Sequence, residues 1–338
     1  MAGHKKQKVT IIDVAQAAGV SKTTISRYIN GKFEFMSDES RERIAKVIDE
    51  LGYRPNNLAR SLKSKETKVI GVIIADITSP FSPILLKGIS DSCERYGYRM
   101  LIANTDDDAS KERDYILSMI DERVDGIIIN TTGENEEFMT KMYNDSGTPF
   151  ILADRMARDL VFDTVRAADG AAMYRALHHL HDTGYEHVGF FVEKLKSSST
   201  RVHRCEVFHK AYPEIFGEGA LFYKLDASVP DVSELQRFVA ETEDSKRAIM
   251  TVNGVVTMRL MKAMWQLGLH APEDMGICSF DDWDWMSLVD GGLTAVAQPT
   301  YRVGCECVKR MMYRIHHNKD AMPKMIELPC ELIIRNST

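Results

Sequence analysis

From Lys68 onward, short apolar runs alternate with amphipathic segments of helical period. The first run, residues 69–75, is apolar throughout, which is typical of a strand buried on both faces of a parallel sheet. Further strands are predicted at residues 99–104, 126–130, 150–153, 187–192, 221–225, 248–252, 276–280 and about 325–334, with helices between them. Repeated strand–helix units predict an α/β core of doubly wound parallel sheets with helices on both faces.

The predicted strands fall into two sets, which indicates a core (68–338) of two similar lobes. The first lobe is expected at about 68–167 and 298–324, and the second at about 168–297 and 325–338. Ligands bind at the carboxyl ends of parallel strands. We therefore expect a small-molecule site in the cleft between the lobes.

Residues 1–54 have a different pattern, that of three short helices. Thr10 and Asp13 form a capping signal, Gly19 ends the first helix, and Ser21 and Ser37 are good N-caps for the next two. The second helix turns Ile25 and Ile29 inward and leaves polar and cationic side chains outside. Three short helices with a tight turn between the first two predict a helix-turn-helix, whose second helix enters the major groove of DNA.

Charge is divided unevenly along the chain. Residues 1–68 carry 14 Lys and Arg against 8 Asp and Glu, whereas the remainder carries 29 against 41. A basic head on an acidic body favours a module for binding a polyanion, although a solvated basic tail would give the same count. No apolar run reaches the length of a membrane span and no signal region follows the start, so we expect a cytoplasmic protein with no membrane partner.

Neither metal binding nor catalysis is indicated. The six cysteines form no C-x-x-C pair, and no His cluster has zinc-ligand spacing. No dinucleotide fingerprint, P-loop or nucleophile-elbow motif occurs. We expect no cofactor, no metal and no enzymatic activity.

Four segments near the start resemble the headpiece of the lactose/galactose repressor (LacI/GalR) family. They are Ile-Asp-Val-Ala at 12–15, Ala-Gly-Val-Ser at 18–21, Thr-Ile-Ser-Arg-Tyr-Ile-Asn at 24–30 and Leu-Gly-Tyr-Arg-Pro-Asn at 51–56. The resemblance places Lys22, Thr23 and Arg27 at base-reading positions. Ser21, Thr24 and Asn30 are candidates for phosphate contact or for helix capping.

Residues 55–67 are similar to the hinge helix and linker of that family. The segment is too short to form a stable helix alone, so it is expected to order when two copies pack together on DNA. The resemblance implies DNA contacts by Asn56, Ala59, Leu62 and Lys63. Ala59 permits close helix approach, and Leu62 is the expected apolar wedge in the minor groove. A plain linker, with Leu62 packed on the core, is the alternative.

The core resembles the same family to its last residues, Leu-Ile-Ile-Arg-Asn-Ser at 332–337. This resemblance implies an effector site, with these candidates: Asp76, Phe81, Asp154, Arg201, Arg204, Asn253, Asp281 and Gln298. Carboxylates and amides accept hydrogen bonds from sugar hydroxyls, and arginine holds a carboxylate or phosphate. The alternative role for each polar group, and for Asp169, is an inter-lobe or supporting hydrogen bond. For Phe81 the alternative is core packing.

The chain departs from the family pattern around this site. Gly254 stands where aspartate is usual, Ser279 replaces a glycine, and Trp283 is either an aromatic wall or a packing residue. These departures leave the effector open among a sugar, a sugar acid and a phosphosugar. Arg201 and Arg204 together favour a negatively charged one.

The resemblance implies a homodimeric, sequence-specific transcription regulator, a repressor more readily than an activator. A two-fold dimer would read a pseudo-palindromic operator in double-stranded DNA, and a small-molecule effector would control it allosterically. No heptad extension follows the last strand. The alternatives are a sugar-binding transport or chemoreception protein with the same core, and a DNA-binding protein with a ligand-free core.

Overall fold

The computed structural model describes residues 9–34, 36–53, 66–193, 198–218, 222–224, 232–289, 291–317 and 322–338. The chain divides into two compact units, Met1–Thr67 and Lys68–Thr338. The predicted hinge residues Asn56, Ala59, Leu62 and Lys63 lie outside the described residues.

Three short helices form the first unit: α1 (Ile11–Ala18), α2 (Lys22–Ile29) and α3 (Asp38–Glu50). Thr10 and Asp13 form the predicted reciprocal capping box at the start of α1. Ser21 and Ser37 accept hydrogen bonds from backbone N–H groups three residues later and so begin α2 and α3. Gly19 ends α1 with a φ of 65°, a left-handed conformation that glycine adopts without a steric penalty. The buried core consists of Val14, Ala15, Ala18, Ile25 and Ile44.

The first lobe of the second unit is built on a parallel six-stranded sheet. Its strands are β1 (Val69–Ile74), β2 (Arg99–Asn104), β3 (Gly126–Ile129), β4 (Phe150–Ala153), β5 (Asp163–Ala168) and β11 (Met325–Pro329). They lie in the order β11-β5-β4-β3-β1-β2. The helices α4 (Phe81–Arg95), α5 (Ala109–Asp121), α6 (Glu136–Ser146) and α11 (Thr300–His316) belong to this lobe.

The second lobe repeats the arrangement. Its strands are β6 (His187–Val192), β7 (Phe222–Lys224), β8 (Arg247–Thr251), β9 (Gly276–Phe280), β10 (Thr294–Ala297) and β12 (Glu331–Ile333), in the order β12-β10-β9-β8-β6-β7. Its helices are α7 (Asp169–Asp182), α8 (Ser199–Phe216), α9 (Val232–Glu241) and α10 (Gly254–Leu267). β12 runs antiparallel to β10, and the other pairings are parallel. The predicted two-lobed, doubly wound core is confirmed.

The last strand differs from the prediction. Instead of one strand over 325–334 in the second lobe, Met325–Pro329 pairs with β5 in the first lobe and Glu331–Ile333 pairs with β10 in the second. The chain crosses between the lobes at Cys330, which is buried. Residues 325–329 therefore belong to the sheet of the first lobe, where they cover the outer edge of β5.

Strand β5 was not predicted, because polar residues interrupt its apolar character. Asp163 is 1% exposed and accepts hydrogen bonds from Arg310 at 2.7 and 3.1 Å, from Arg314 at 2.5 Å and from the Lys324 backbone at 2.7 Å. Burial alone would raise the pKa of Asp163, but these donors outweigh it and lower the pKa. The buried ion cluster ties α11 to the sheet.

Helices α4 and α11 cross at two glycines. A Cβ atom at Gly88 would overlap the carbonyl oxygen of Tyr301, and one at Gly304 would overlap that of Leu85. This close approach holds α11 on the first lobe and positions the segment just before it, which carries Gln298. No helix in the described part of the chain is long and apolar enough to cross a bilayer.

Candidate functional site

Helix α2 presents the face predicted to contact DNA. Lys22, Thr23 and Arg27 are exposed, whereas Ile25 on the opposite face is fully buried. These three side chains are free of packing within the headpiece and are available to a partner. Two are cations and one is a hydroxyl, types that contact base edges and phosphates.

The flanking polar residues of α2 take part in capping. Ser21 Oγ accepts from the Thr24 backbone at 3.1 Å and lies 2.9 Å from Thr24 Oγ1. Asn30 is the C-cap, and its Nδ2 donates to the carbonyl of Ser26 at 2.7 Å. Of the two roles expected for Ser21, Thr24 and Asn30, the structure shows the capping role.

A cavity of about 520 Å³ lies at the carboxyl ends of strands from both lobes. All eight predicted effector positions line it: Asp76, Phe81 and Asp154 from the first lobe, Arg201, Arg204, Asn253 and Asp281 from the second, and Gln298 at a crossing. Its size is within the range of cavities that hold small metabolites. The first and last of these residues, Asp76 and Gln298, are more than 200 positions apart in the sequence.

Asp281 and Gln298 join two segments at the cavity wall. Asp281 directly follows β9 with a φ of 75°, and its Oδ2 accepts from the Gly254 backbone at 3.0 Å. Gln298 Nε2 donates to Oδ1 of the same carboxylate. The buried Oε1 of Gln298 has no hydrogen-bond partner among the described residues. That oxygen is available to accept a hydrogen bond from a bound molecule.

Arg204 is held rigidly by its surroundings. Its Nε donates to Asp169 at 3.3 Å, its Nη1 donates to the Val252 carbonyl at 2.9 Å, and its guanidinium lies 3.6 Å from the centre of the Phe280 ring. Arg204 is 3% exposed. These hydrogen bonds use two of the five N–H donors of Arg204, which also lines the cavity.

Asp169 is the centre of a network of cations between the lobes. Arg166 on β5 donates to it at 2.5 Å, and His203 lies 3.3 Å away on α8. Burial alone would raise the pKa of Asp169, but His203, Arg204 and Arg166 outweigh burial and lower the pKa to about 2. Asp169 does not line the cavity, and the structure shows the supporting role for it.

Glu193 contacts three cavity residues, by an ion pair with Arg201 and by hydrogen bonds from Arg259 and Asn253. Arg201 Nη2 lies 2.9 Å from its Oε1, Arg259 Nη1 lies 3.4 Å from its Oε2, and Asn253 Nδ2 donates to Oε1 at 2.9 Å. Asn253 also caps α10 by accepting from the Val256 backbone at 2.9 Å. Sequence reasoning missed Glu193 and Arg259. Glu193 could have been found, since it directly follows β6, as Asp281 follows β9.

Asp154 directly follows β4 with a φ of 66°, and its carboxylate has no hydrogen-bond partner among the described residues. Burial raises its pKa more than Arg204 and Arg155 lower it. The neighbouring Arg155 donates to Asp107 at 2.6 Å and to the Thr131 carbonyl at 3.1 Å. A carboxyl group at this position can bind a hydroxyl group of a ligand.

The loop after β1 contributes a carboxylate and a ring. Asp76 Oδ1 accepts from the backbone and the hydroxyl of Thr78 at 2.8 and 2.6 Å. Phe81 is half-buried, packs on the core of the first lobe and also lines the cavity. The structure thus shows the packing role for Phe81 and places it in the cavity wall, and its contact with an effector stays a prediction.

The departure at Gly254 has a physical explanation. A Cβ atom at residue 254 would lie 2.7–2.8 Å from three atoms of the outer ring of Trp283. Any side chain there would collide with the indole, so glycine permits Trp283 to form the cavity wall. Trp283 lines the cavity and also packs against the core of the second lobe, so the structure shows both an aromatic wall and a packing residue.

Comparison with known proteins agrees with this geometry. Residues 67–336 match the family described as periplasmic binding proteins and sugar binding domain of LacI family, and residues 10–56 match bacterial regulatory proteins, lacI family. The HTH-type transcriptional regulator KdgR of Bacillus subtilis is 38% identical over 331 residues, 97% of each chain. The regulator PtxS of Pseudomonas putida is 34% identical over 335 residues, 99% of this chain and 97% of the relative.

Solved structures show the same fold. The Lac repressor dimer bound to operator and the anti-inducer ONPF has a TM-score of 0.86 at 21% identity, covering 98% of this chain and 99% of that one. A complex of the regulator CelR with cellobiose has a TM-score of 0.70 at 20% identity, covering 98% of this chain and 100% of that one. From the two family matches, which together span residues 10–56 and 67–336, the chain belongs to the LacI family of bacterial regulatory proteins.

Proposed function

We propose that this LacI-family regulator acts as a homodimeric repressor of transcription. Two copies of α2 would occupy the half-sites of a pseudo-palindromic operator, and a sugar or sugar derivative in the inter-lobe cavity would control binding. The observation that carries the proposal is the convergence of polar groups from both lobes on one cavity, in a chain whose headpiece exposes Lys22, Thr23 and Arg27.

The DNA-binding half of the proposal follows from α2. A helix whose apolar face is buried and whose exposed face carries two cations and a hydroxyl is suited to a major groove. The relatives named above are HTH-type transcriptional regulators, and the Lac repressor structure is a dimer on its operator. Both facts support operator binding by a dimer here.

The effector half follows from the cavity. Asp154, with an unpartnered carboxylate among the described residues, and the free acceptor of Gln298 are aimed where hydroxyl groups would bind. Because the cavity wall is contributed by both lobes, a ligand there favours their closed arrangement. A ligand that changes the relation of the lobes changes operator affinity, and operator changes ligand affinity by the same factor.

An unbiased selection of duplex DNA by the purified protein tests the DNA-binding half. We expect enrichment of one pseudo-palindromic sequence, and Arg27→Ala should lose about 1–3 kcal/mol of preference for it, the typical value of a good base contact. Arg43→Ala removes an exposed arginine from α3 and is the matched control. Failure to enrich any sequence, with and without candidate metabolites, would refute operator recognition.

A thermal-shift screen tests the effector half. At a concentration 100 times its Kd, a cavity ligand stabilises the protein by about 2.7 kcal/mol. We expect stabilisation by sugars or their derivatives, and its loss in Asp154→Asn. If no member of a broad panel shifts the melting temperature, the core is ligand-free and the protein is a DNA-binding protein without an effector.

A further inference from the structure

The charges that line the cavity are separated into two groups. The first group is cationic. Its two arginines, Arg201 and Arg259, share a single carboxylate, Glu193, and this leaves one surplus positive charge. This surplus belongs to the residues that the structure describes. Arg155 is matched by Asp107, so it does not alter that surplus.

The other group is acidic. Asp76, Asp154 and Asp281 line the cavity, and the hydrogen bonds that they accept in the described structure come from neutral donors. The remaining cation of the lining, Arg204, is paired with Asp169 beneath the cavity. None of the three carboxylates forms an ion pair within the described residues, although Arg204 and Arg155 act on Asp154 at longer range. Three such acceptors suit the hydroxyl groups of a ligand.

Sheet order separates Glu193 from Asp281 on the second-lobe side of the cavity. The strands of the second lobe run β10-β9-β8-β6, so Glu193 after β6 and Asp281 after β9 are separated by the width of β8. Two strand spacings are about 9–10 Å. The second-lobe side therefore has a cationic end near α8 and α10 and a carboxylate, Asp281, at the end near β9, while Asp76 and Asp154 line the first-lobe side.

We propose that the effector is a polyhydroxylated monocarboxylate, a sugar acid, and that Glu193 selects it against both neutral sugars and phosphosugars. This inference rests on the proposed function, which places the effector in this cavity. The carboxylate binds at Arg201 and Arg259, and the hydroxyl groups face the carboxylates of Asp76, Asp154 and Asp281. One surplus positive charge balances a carboxylate, whereas a phosphate monoester carries about two negative charges at neutral pH.

The role of Glu193 is that of a fixed counterion. It orients both guanidinium groups through its two oxygens, and each arginine has further N–H groups for a ligand. Its charge also limits how much negative charge the site accepts. Neutralising Glu193 should raise the surplus to two and shift the preference toward dianions.

The experiment compares ligands that differ at one carbon: D-glucose, D-glucuronate and D-glucose 6-phosphate, and the same three forms of galactose, with D-gluconate as an open-chain carboxylate. Affinity is measured by calorimetry on the full-length dimer. We expect the wild type to bind a carboxylate at least about tenfold more tightly than its neutral and phosphorylated counterparts, the factor that a charge-assisted hydrogen bond contributes.

Glu193→Gln should bind the sugar phosphate about tenfold more tightly relative to the carboxylate than the wild type does. Arg259→Gln should lose the preference for carboxylate over neutral sugar while keeping the neutral sugar's affinity. Arg259 is 32% exposed in its side chain, so this second variant tests the inference even if Glu193→Gln folds poorly. Glu234→Gln is the control, since Glu234 is paired with Arg237 at 2.6 Å on α9, away from the lining.

The outcomes separate the two proposals. If a neutral sugar or a sugar phosphate binds the wild type best, or if Glu193→Gln leaves the preference unchanged, the inference is wrong and the cavity is still an effector site. If none of these compounds binds and the broad thermal-shift panel also gives no stabilisation, the proposed effector control is wrong, and the sugar-acid inference is refuted with it.

Discussion

Gly254→Ala adds one methyl group where the indole of Trp283 already lies. The added Cβ would be 2.7 Å from Cη2, 2.7 Å from Cζ2 and 2.8 Å from Cζ3 of that ring. Carbon atoms in contact prefer about 3.5–4.0 Å, so the ring must move by roughly 1 Å. Moves of this kind in a packed site cost about 1–3 kcal/mol.

The helix itself offsets part of that cost. Alanine is better than glycine inside a helix by about 0.5–1 kcal/mol, although Gly254 is the first residue of α10, where the gain is smaller. We therefore expect Gly254→Ala to lower the free energy of unfolding by about 1–2 kcal/mol. Urea denaturation followed by circular dichroism measures this change.

A double-mutant cycle identifies the cause. The atoms approached by the new methyl group belong to the outer ring of the indole, and Trp283→Phe removes that ring. In the Trp283→Phe background, Gly254→Ala should be neutral or slightly stabilising. Gly170→Ala is the matched control, because it is also at the start of a helix and its added Cβ would have ordinary contacts of 3.5 Å. An equal loss in both backgrounds would show that the indole is not the obstacle.

Three further predictions concern the hinge, the Asp169 network and the Asp163 cluster. Leu62→Ala should weaken specific operator binding much more than nonspecific binding in a gel-shift titration, since an inserted wedge acts only on the correct site; equal losses would contradict a wedge. The pKa of Asp169 is about 2 in the folded protein, against an ordinary value of 3.8. Its charged form therefore adds about 2 kcal/mol to the free energy of unfolding. This contribution is complete above about pH 4–5 and is lost as the pH falls toward 2. Urea unfolding between pH 5 and pH 2.5 should show that loss in the wild type and a flatter profile in Asp169→Asn. Asp163→Asn leaves Arg310 and Arg314 buried without their carboxylate. This variant should lower the free energy of unfolding by about 3–5 kcal/mol, measured in urea at neutral pH. A loss under about 1 kcal/mol would mean that the cluster is hydrated.

Strands that are buried on both faces were predictable, since residues such as those of β1 are apolar without interruption. β5 was missed because Asp163 and Arg166 are polar, and their burial depends on partners more than a hundred positions away or in the other lobe. Leu51 shows the opposite error. Its spacing from Ile44, Val47 and Ile48 predicts a place in the buried stripe of α3, but α3 ends at Glu50 and Leu51 is 37% exposed as its C-cap.

The positions of the site were more predictable than its interactions. The family resemblance implied Asp76, Asp154 and Asp281, and the strand pattern agrees with it, because each follows a predicted strand and parallel strands bring their carboxyl ends together. Which cation pairs with which carboxylate depends on sheet order and on helix rotation. The pairing of Arg201 and Arg259 with Glu193 therefore became visible only in the structure.

The return of β11 to the first lobe near the end of the chain affects how the protein folds during its synthesis. β11 and α11 belong to the first lobe, yet they are synthesised after nearly all of the second. While the ribosome is still translating residues 169–297, β5 has an uncovered edge and the α4 face that receives α11 has no partner. The first lobe can thus reach its native state only once residues 300–329 have left the exit tunnel, which makes nascent chains of intermediate length the species most in need of a chaperone.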